Sequence, residues 1–185
     1  MSLEVDAAAS RVALLRARAH PLRLRMLSLL TGADMSAAEL SRELAVSQAL
    51  ASYHLRQLRD AGLAVLVAER SHRGGKERRY RHIVGTDTAA APVVDQHGYG
   101  LFLQAMLAEV GRRSASRVPG RPGLMVDAEL WVTPEMWDNV REAMTKLATE
   151  LHAHARPPRS AGAVPVNATV VLFAMQTDAE PGNSS

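Results

Sequence analysis

Between Ser36 and Ile83 the chain sets helix and strand signals in an order that restricts the fold more than anything else in its 185 residues. Ser36-Ala-Ala-Glu39 is a capping box, in which the serine hydroxyl accepts from the third helical amide and the glutamate reaches back to the serine amide. It predicts a short helix to about Ala45. After a tight Val46-Ser47 corner, Ser47 caps a second helix that runs from Gln48 to about Ala61, and Gly62 closes it. Leu63–Glu69 (LAVLVAE) then reads as a strand, Ser71–Lys76 (SHRGGK) as a turn with paired glycines, and Glu77–Ile83 (ERRYRHI) as the return strand. Two short helices across a tight corner make a helix-turn-helix, and a basic hairpin directly after it makes a winged helix.

Upstream, Ala7–Ala19 is rich in good helix formers, and Pro21 opens a further helix through Leu30 that Gly32 is expected to end. Downstream, Val84–Pro92 and Arg156–Pro165 read as connections. Leu101–Val110 (LFLQAMLAEV) is apolar nearly all round, so it must be covered nearly all round. A second copy of the subunit covers it most simply, through Leu101, Phe102, Met106 and Val110 with the 7–19 helix as neighbour; burial within one subunit is the alternative. Val126–Val132 alternates like a half-buried strand, and Thr133-Pro134-Glu135 starts a helix with Trp137, Val140, Met144, Leu147 and Leu151 on one stripe. Val166–Met175 (VNATVVLFAM) reads as another strand. The expected architecture is mainly α with a small β component. A winged helix-turn-helix domain spans 1–83, an α+β dimerisation and effector region spans 93–176, and a flexible tail spans 177–185.

Charge separates the same two halves. Residues 1–82 hold 14 Arg and Lys against 8 Asp and Glu, whereas residues 83–185 hold 8 against 11. A basic front half suits a polyanionic partner, although many basic surfaces only keep a protein soluble. On a helical wheel Ala51, Leu55 and Leu58 share one face of the 48–61 helix. Ala49, Tyr53 and Arg56 point the opposite way, with Ser52 and Gln57 on the flanks. Ser47 and Gln48 sit at the N-terminus, where free amides favour an anion such as phosphate. Such a face suits major-groove edges, and it also suits plain solvent. The 70–81 hairpin decides between them: Arg70, Arg73, Lys76, Arg78, Arg79 and Arg81 stand beside the presented helix, with Glu77 as the one acid between Arg70 and Arg81. His54 falls beside the buried face and reads as a structural histidine; Tyr80 reads as an anchor for the wing.

The run from Ser47 to Leu63 (SQALASYHLRQLRDAGL) closely resembles the recognition-helix signature of winged-helix regulators of the arsenic-repressor (ArsR) type. Arg73–Arg81 (RGGKERRYR) is similar to the wing of that superfamily. The resemblance covers about residues 10–83. It implies a homodimeric transcription factor, most often a repressor, on a roughly palindromic duplex operator. It also implies that Gln48, Ser52, Tyr53 and Arg56 face bases or phosphates and that Arg78 and Arg79 are wing contacts. The chain departs from the metal sensors of the family. It has no cysteine at all, and Glu39–Ala45 carries no thiol. Asp95-Gln-His97 matches half of a second family site, but Ala108 and Gly111 stand where the remaining ligands belong. His152 and His154 are two apart on a helix and point about 200° apart. No metal and no cofactor are expected.

Trp131, Phe102, Phe173, Met106 and Met125 are candidates for lining a pocket for a small hydrophobic effector, with an ordinary core as the bland reading. The chain has no glycine-rich phosphate loop, no nucleophile elbow and no recognisable carboxylate pair, so it does not read as an enzyme. Glu4 and Asp6 precede any apolar stretch, unlike a secretory signal, and no apolar run is long enough to span a membrane. A cytoplasmic protein is expected. The competing class is a winged-helix protein-interaction module that no longer binds DNA; such modules usually lose the basic wing, which is kept here.

Overall fold

The computed structural model describes residues 12–72, 75–83 and 96–175. Residues 12–18 are helical (α1), followed by α2 (Pro21–Gly32), β1 (Met35–Ser36), α3 (Ala37–Leu44), α4 (Gln48–Asp60), β2 (Ala64–His72), β3 (Gly75–His82), α5 (Gln96–Ser114) and α6 (Pro134–Ala153). The result is mainly helical with one small antiparallel sheet of order β1-β3-β2, consistent with a winged helix. The connections 84–92, the tail 177–185, the N-terminal part of the 7–19 helix, Arg73 and Asp95 lie outside the described residues.

The local signals act as their chemistry requires. Ser36 Oγ accepts from the Glu39 amide at 3.3 Å while the Ser36 amide donates to Glu39 Oε2 at 2.7 Å, completing the box that starts α3. Ala45 adopts φ 53°, and Ser41 Oγ donates to the Val46 carbonyl at 2.6 Å, so the corner between α3 and α4 is held from inside. Gly62, at φ 73°, ends α4: its amide donates to Arg59 and the Leu63 amide to Leu58, both at 2.9 Å. His20 caps α2 through Nδ1, and the Arg23 guanidinium satisfies the last carbonyls of α1 at Arg16 and Ala17.

The core sits between these short elements. Met26, Leu30, Leu40, Ala51, Leu58 and Leu63 have no exposed surface, and Tyr80 and Met35 join them from the sheet. Met35 pairs with Tyr80 in register, which ties the hairpin to the start of α3 through a two-residue strand the sequence reading did not foresee. A bulge between Leu66 and Ala68 twists β2 away from strict alternation.

One expectation, the pair of strands at 126–132 and 166–175, is corrected. Gly32 is the last residue of α2, the end that the sequence assigned to this helix. A Cβ there would come 2.5 Å from the Arg156 carbonyl oxygen, so the glycine makes room for the chain that leaves α6. Within one chain α5 packs on α2 and buries Gly98, Ala105 and Glu109, while Leu101 and Leu107 of the apolar 101–110 run are exposed, the side for which a second copy was expected. Residues 126–132 and 166–175 form no strand, and no residue of α6 is buried. Alternating sequence needs a partner ladder before it becomes a sheet, and among the described residues of a single chain neither segment has one.

Candidate nucleic-acid interface

Helix α4 is presented as its pattern demands. Ala51, His54, Leu55 and Leu58 face the core, and Ser47, Gln48, Ala49, Tyr53, Arg56 and Gln57 are exposed, with Ser52 half-buried. Ser47 Oγ accepts from the Leu50 amide at 3.2 Å, which fixes the start of the helix.

A cleft opens between α4 and the hairpin. Gln48, Ser52 and Arg56 of α4, Lys76, Glu77 and Arg78 of β3, and Ser36–Ala38 are among the residues that line it. Five sequence-nominated residues from two separate elements thus converge on one groove. Ala49, Tyr53 and Gln57 lie outside it, on the adjoining exposed face of α4. Arg59 also lines the cleft and was missed by the sequence reading. The signal was there, since Arg59 continues the row of Ser52 and Arg56, one helical turn beyond Arg56 and two beyond Ser52. Its Nη2 is 2.6 Å from Asp60 Oδ1.

The wing cations are not bare. Glu69 holds two of them, Lys76 Nζ on Oε1 and Arg78 Nε on Oε2, each at 2.9 Å. Hydrogen bonds from Arg78 and Lys76 hold the Glu69 carboxyl below its ordinary pKa, and the bond to Glu69 raises that of Arg78. Glu69 is bound through Nε, and the Arg78 side chain is about half exposed, so its two terminal nitrogens remain as donors of the kind that suits a phosphate. Arg79, the other expected wing contact, is engaged with groups of its own chain. Its guanidinium bonds Glu39 Oε2 at 3.0 Å, lies 3.7 Å from Glu77, and donates to the Asp34 carbonyl. It therefore braces the root of the wing. Burial alone would raise the pKa of Glu39, but the Ser36 hydrogen bonds and Arg79 together lower it. Arg81 makes a two-pronged pair with Asp34. Counting acids only between Arg70 and Arg81 overlooked Asp34, Glu39 and Glu69, which the fold brings alongside.

The α2–α4 segment is the one a domain family also marks out. Residues 19–67 match the family described as a helix-turn-helix domain. No curated protein matches the chain. The matched residues run from the cap of α2 into β2, and they support an assignment among helix-turn-helix transcription regulators with DNA as partner.

His54 is buried, as expected, but its Nδ1 has no hydrogen-bond partner among the described residues; the ring packs 4.6 Å from His20 and 5.1 Å from Tyr53. Desolvation, then His20 and Arg23, lower its pKa. His82 is buried at the base of β3, with Nδ1 2.9 Å from Thr31 Oγ1, and desolvation followed by Arg18 and His152 lowers its pKa to about 4. Among the described residues no three His, Asp or Glu side chains cluster as a metal site, and no helix is long and apolar enough to cross a membrane.

The nominated effector residues are not gathered into a pocket by one chain. Phe102 and Met106 are half-buried on α5, but Met125, Trp131 and Phe173 are 91%, 84% and 56% exposed. Of the nominated dimer residues, Leu101 is exposed and Phe102, Met106 and Val110 are half-buried.

Proposed function

We propose that this chain is a homodimeric, ArsR-type winged-helix regulator, acting as a repressor, that reads duplex DNA with α4 and grips phosphates with the β2–β3 wing. The carrying observation is the convergence of Gln48, Ser52 and Arg56 with Lys76 and Arg78 on one cleft beside a capped, exposed helix. Gln48, Ser52, Arg56 and Arg59 enter the major groove, where amide and guanidinium groups discriminate base edges. Ser47, Ala49, Tyr53 and Gln57 contact the groove walls. Lys76, Arg78 and Arg73 hold flanking phosphates, and Arg79 positions the wing through Glu39. DNA phosphates compete with Glu69 for the two cations it holds.

A dimer through α5 places two recognition helices about one helical turn apart, near 34 Å. The effector region is 93–176, where a hydrophobic ligand is enclosed only once the second subunit supplies the other wall. Selection of bound duplexes from a random library tests the reading. The expected product is a pair of inverted half-sites with centres about 10 bp apart. Recovery of no enriched sequence contradicts it and favours a protein-interaction module.

A further inference from the structure

The C-terminal arm has the composition of a sheet and the surroundings of a bare surface. Leu124, Met125, Val126, Leu130, Trp131 and Val132 are all exposed, as are Val164, Val166, Val170, Leu172 and Phe173. Among the described residues no backbone–backbone hydrogen bond involves 124–132 or 164–175. Soluble single chains rarely leave apolar patches beyond a few hundred Å². The exposed side chains of these two segments amount to on the order of 1,500 Å², against the ~800 Å² that each partner contributes to a standard stable interface.

We propose that the two segments form a sheet completed by a second copy of this chain, with 164–175 of each copy at its centre. The proposal rests on the dimeric reading above only in requiring two copies, and it assigns the contact to the arm in addition to α5. Area is the first argument for a second copy as the occupant. Charge is the second. From Ala161 to Thr177 the chain holds no ionisable residue, so pairing this segment with its own twofold mate sets no like charges opposite one another. The 124–132 segment carries Asp127 and Glu129; self-pairing there would bring carboxylates together, and those acids suit an outer strand that must not pair further.

Continuity is the third argument. Arg113 on α5 reaches both Ser28 on α2 and Asn167 in the arm, each at 3.3 Å. Arg156 packs on Gly32, and Arg159 pairs with Glu43 on α3. The arm is thus pinned where it leaves the body and again where Asn167 meets α5, a helix on which Leu107 is itself exposed.

Amide hydrogen exchange on the full chain, read together with sedimentation equilibrium, tests this. In wild type the 166–175 amides should exchange at least about 100-fold more slowly than in an open chain, and that protection should fall on dilution together with the dimer fraction. Val170→Asp/Leu172→Asp changes two residues outside the subunit core. It should abolish the protection and weaken the dimer by at least about 10-fold in dissociation constant, leaving α2–α4 protection unchanged. Single subunits with open 166–175 amides at every concentration would overturn the proposal and assign the face to another occupant. A dimer with open 166–175 amides would also overturn it, while leaving an α5 dimer standing. Failure to bind DNA with the arm protected would reject the DNA reading and leave this one intact.

Discussion

The two halves of the chain use similar residues in opposite ways. In residues 12–83, leucines at helical spacing vanish into a core of fully covered side chains, among them Leu30, Leu40 and Leu58. In α6 an equally regular stripe of Val140, Met144, Leu147 and Leu151 stays in the open. The difference is closure. The front half folds four helices and a hairpin back on one another within about 70 residues, so most of its helical apolar faces meet another from the same chain. The back half strings two long helices and two segments without regular structure together, and no residue of α6 is buried.

The contrast can be broken most sharply by truncating a leucine in each half. Leu58→Ala should cost about 2–5 kcal/mol of stability, as a cavity in a closed core does. Leu147→Ala should change the unfolding of dilute protein by less than ~0.5 kcal/mol. Equal losses in urea titrations at low concentration would mean that α6 is covered within one subunit.

Acid should act chiefly on the front half. His82 ordinarily titrates near 6.5 and in the fold near 4. Between those values the unfolded chain takes up a proton that the fold refuses, so stability is unaffected above pH 6.5 and declines as pH falls toward 4. The loss approaches roughly 3 kcal/mol. His54, lowered for the same reason, adds in the same direction. Urea midpoints measured from pH 7.5 to 4 should show this decline, and His82→Gln should flatten it; a curve unchanged by that variant removes His82 as its cause.

In the cleft, Arg56→Ala should cost about 1–3 kcal/mol on a selected site and little on random duplex, whereas Arg78→Ala should weaken both alike and lower the salt slope by about one. The reverse pattern would exchange the assigned roles of helix and wing. A smaller effect sharpens the comparison between halves. Ser36→Ala removes a cap that is tied to the core and should lower global stability by about 1 kcal/mol. Thr133→Ala removes the same kind of cap from α6 and should fray that helix, seen by hydrogen exchange, without moving the main transition.

What could be read from the sequence follows the same division. The capping box, the Ser47 cap and the Gly62 stop are local devices whose partners lie within a few residues, and each forms as its spacing requires. The exposed and buried faces of α4 were legible because Leu55 and Leu58 set the phase of the helix. The pairing of Arg79 with Glu39 and of Arg81 with Asp34 was not, because those partners lie 40 and 47 positions apart and meet only after β1 joins β3. Strands at 126–132 and 166–175 were expected from alternation alone, which marks the faces of a strand but does not supply a neighbouring one.

Fluorescence anisotropy of a labelled duplex, titrated with the protein at 50 and 200 mM salt, tests the DNA reading most directly. Saturable binding that weakens by about 10³-fold or more between the two salts, as several released counterions require, together with a selective loss for Arg56→Ala, is the expected result. Binding that is absent, or indifferent to both salt and Arg56, would contradict it.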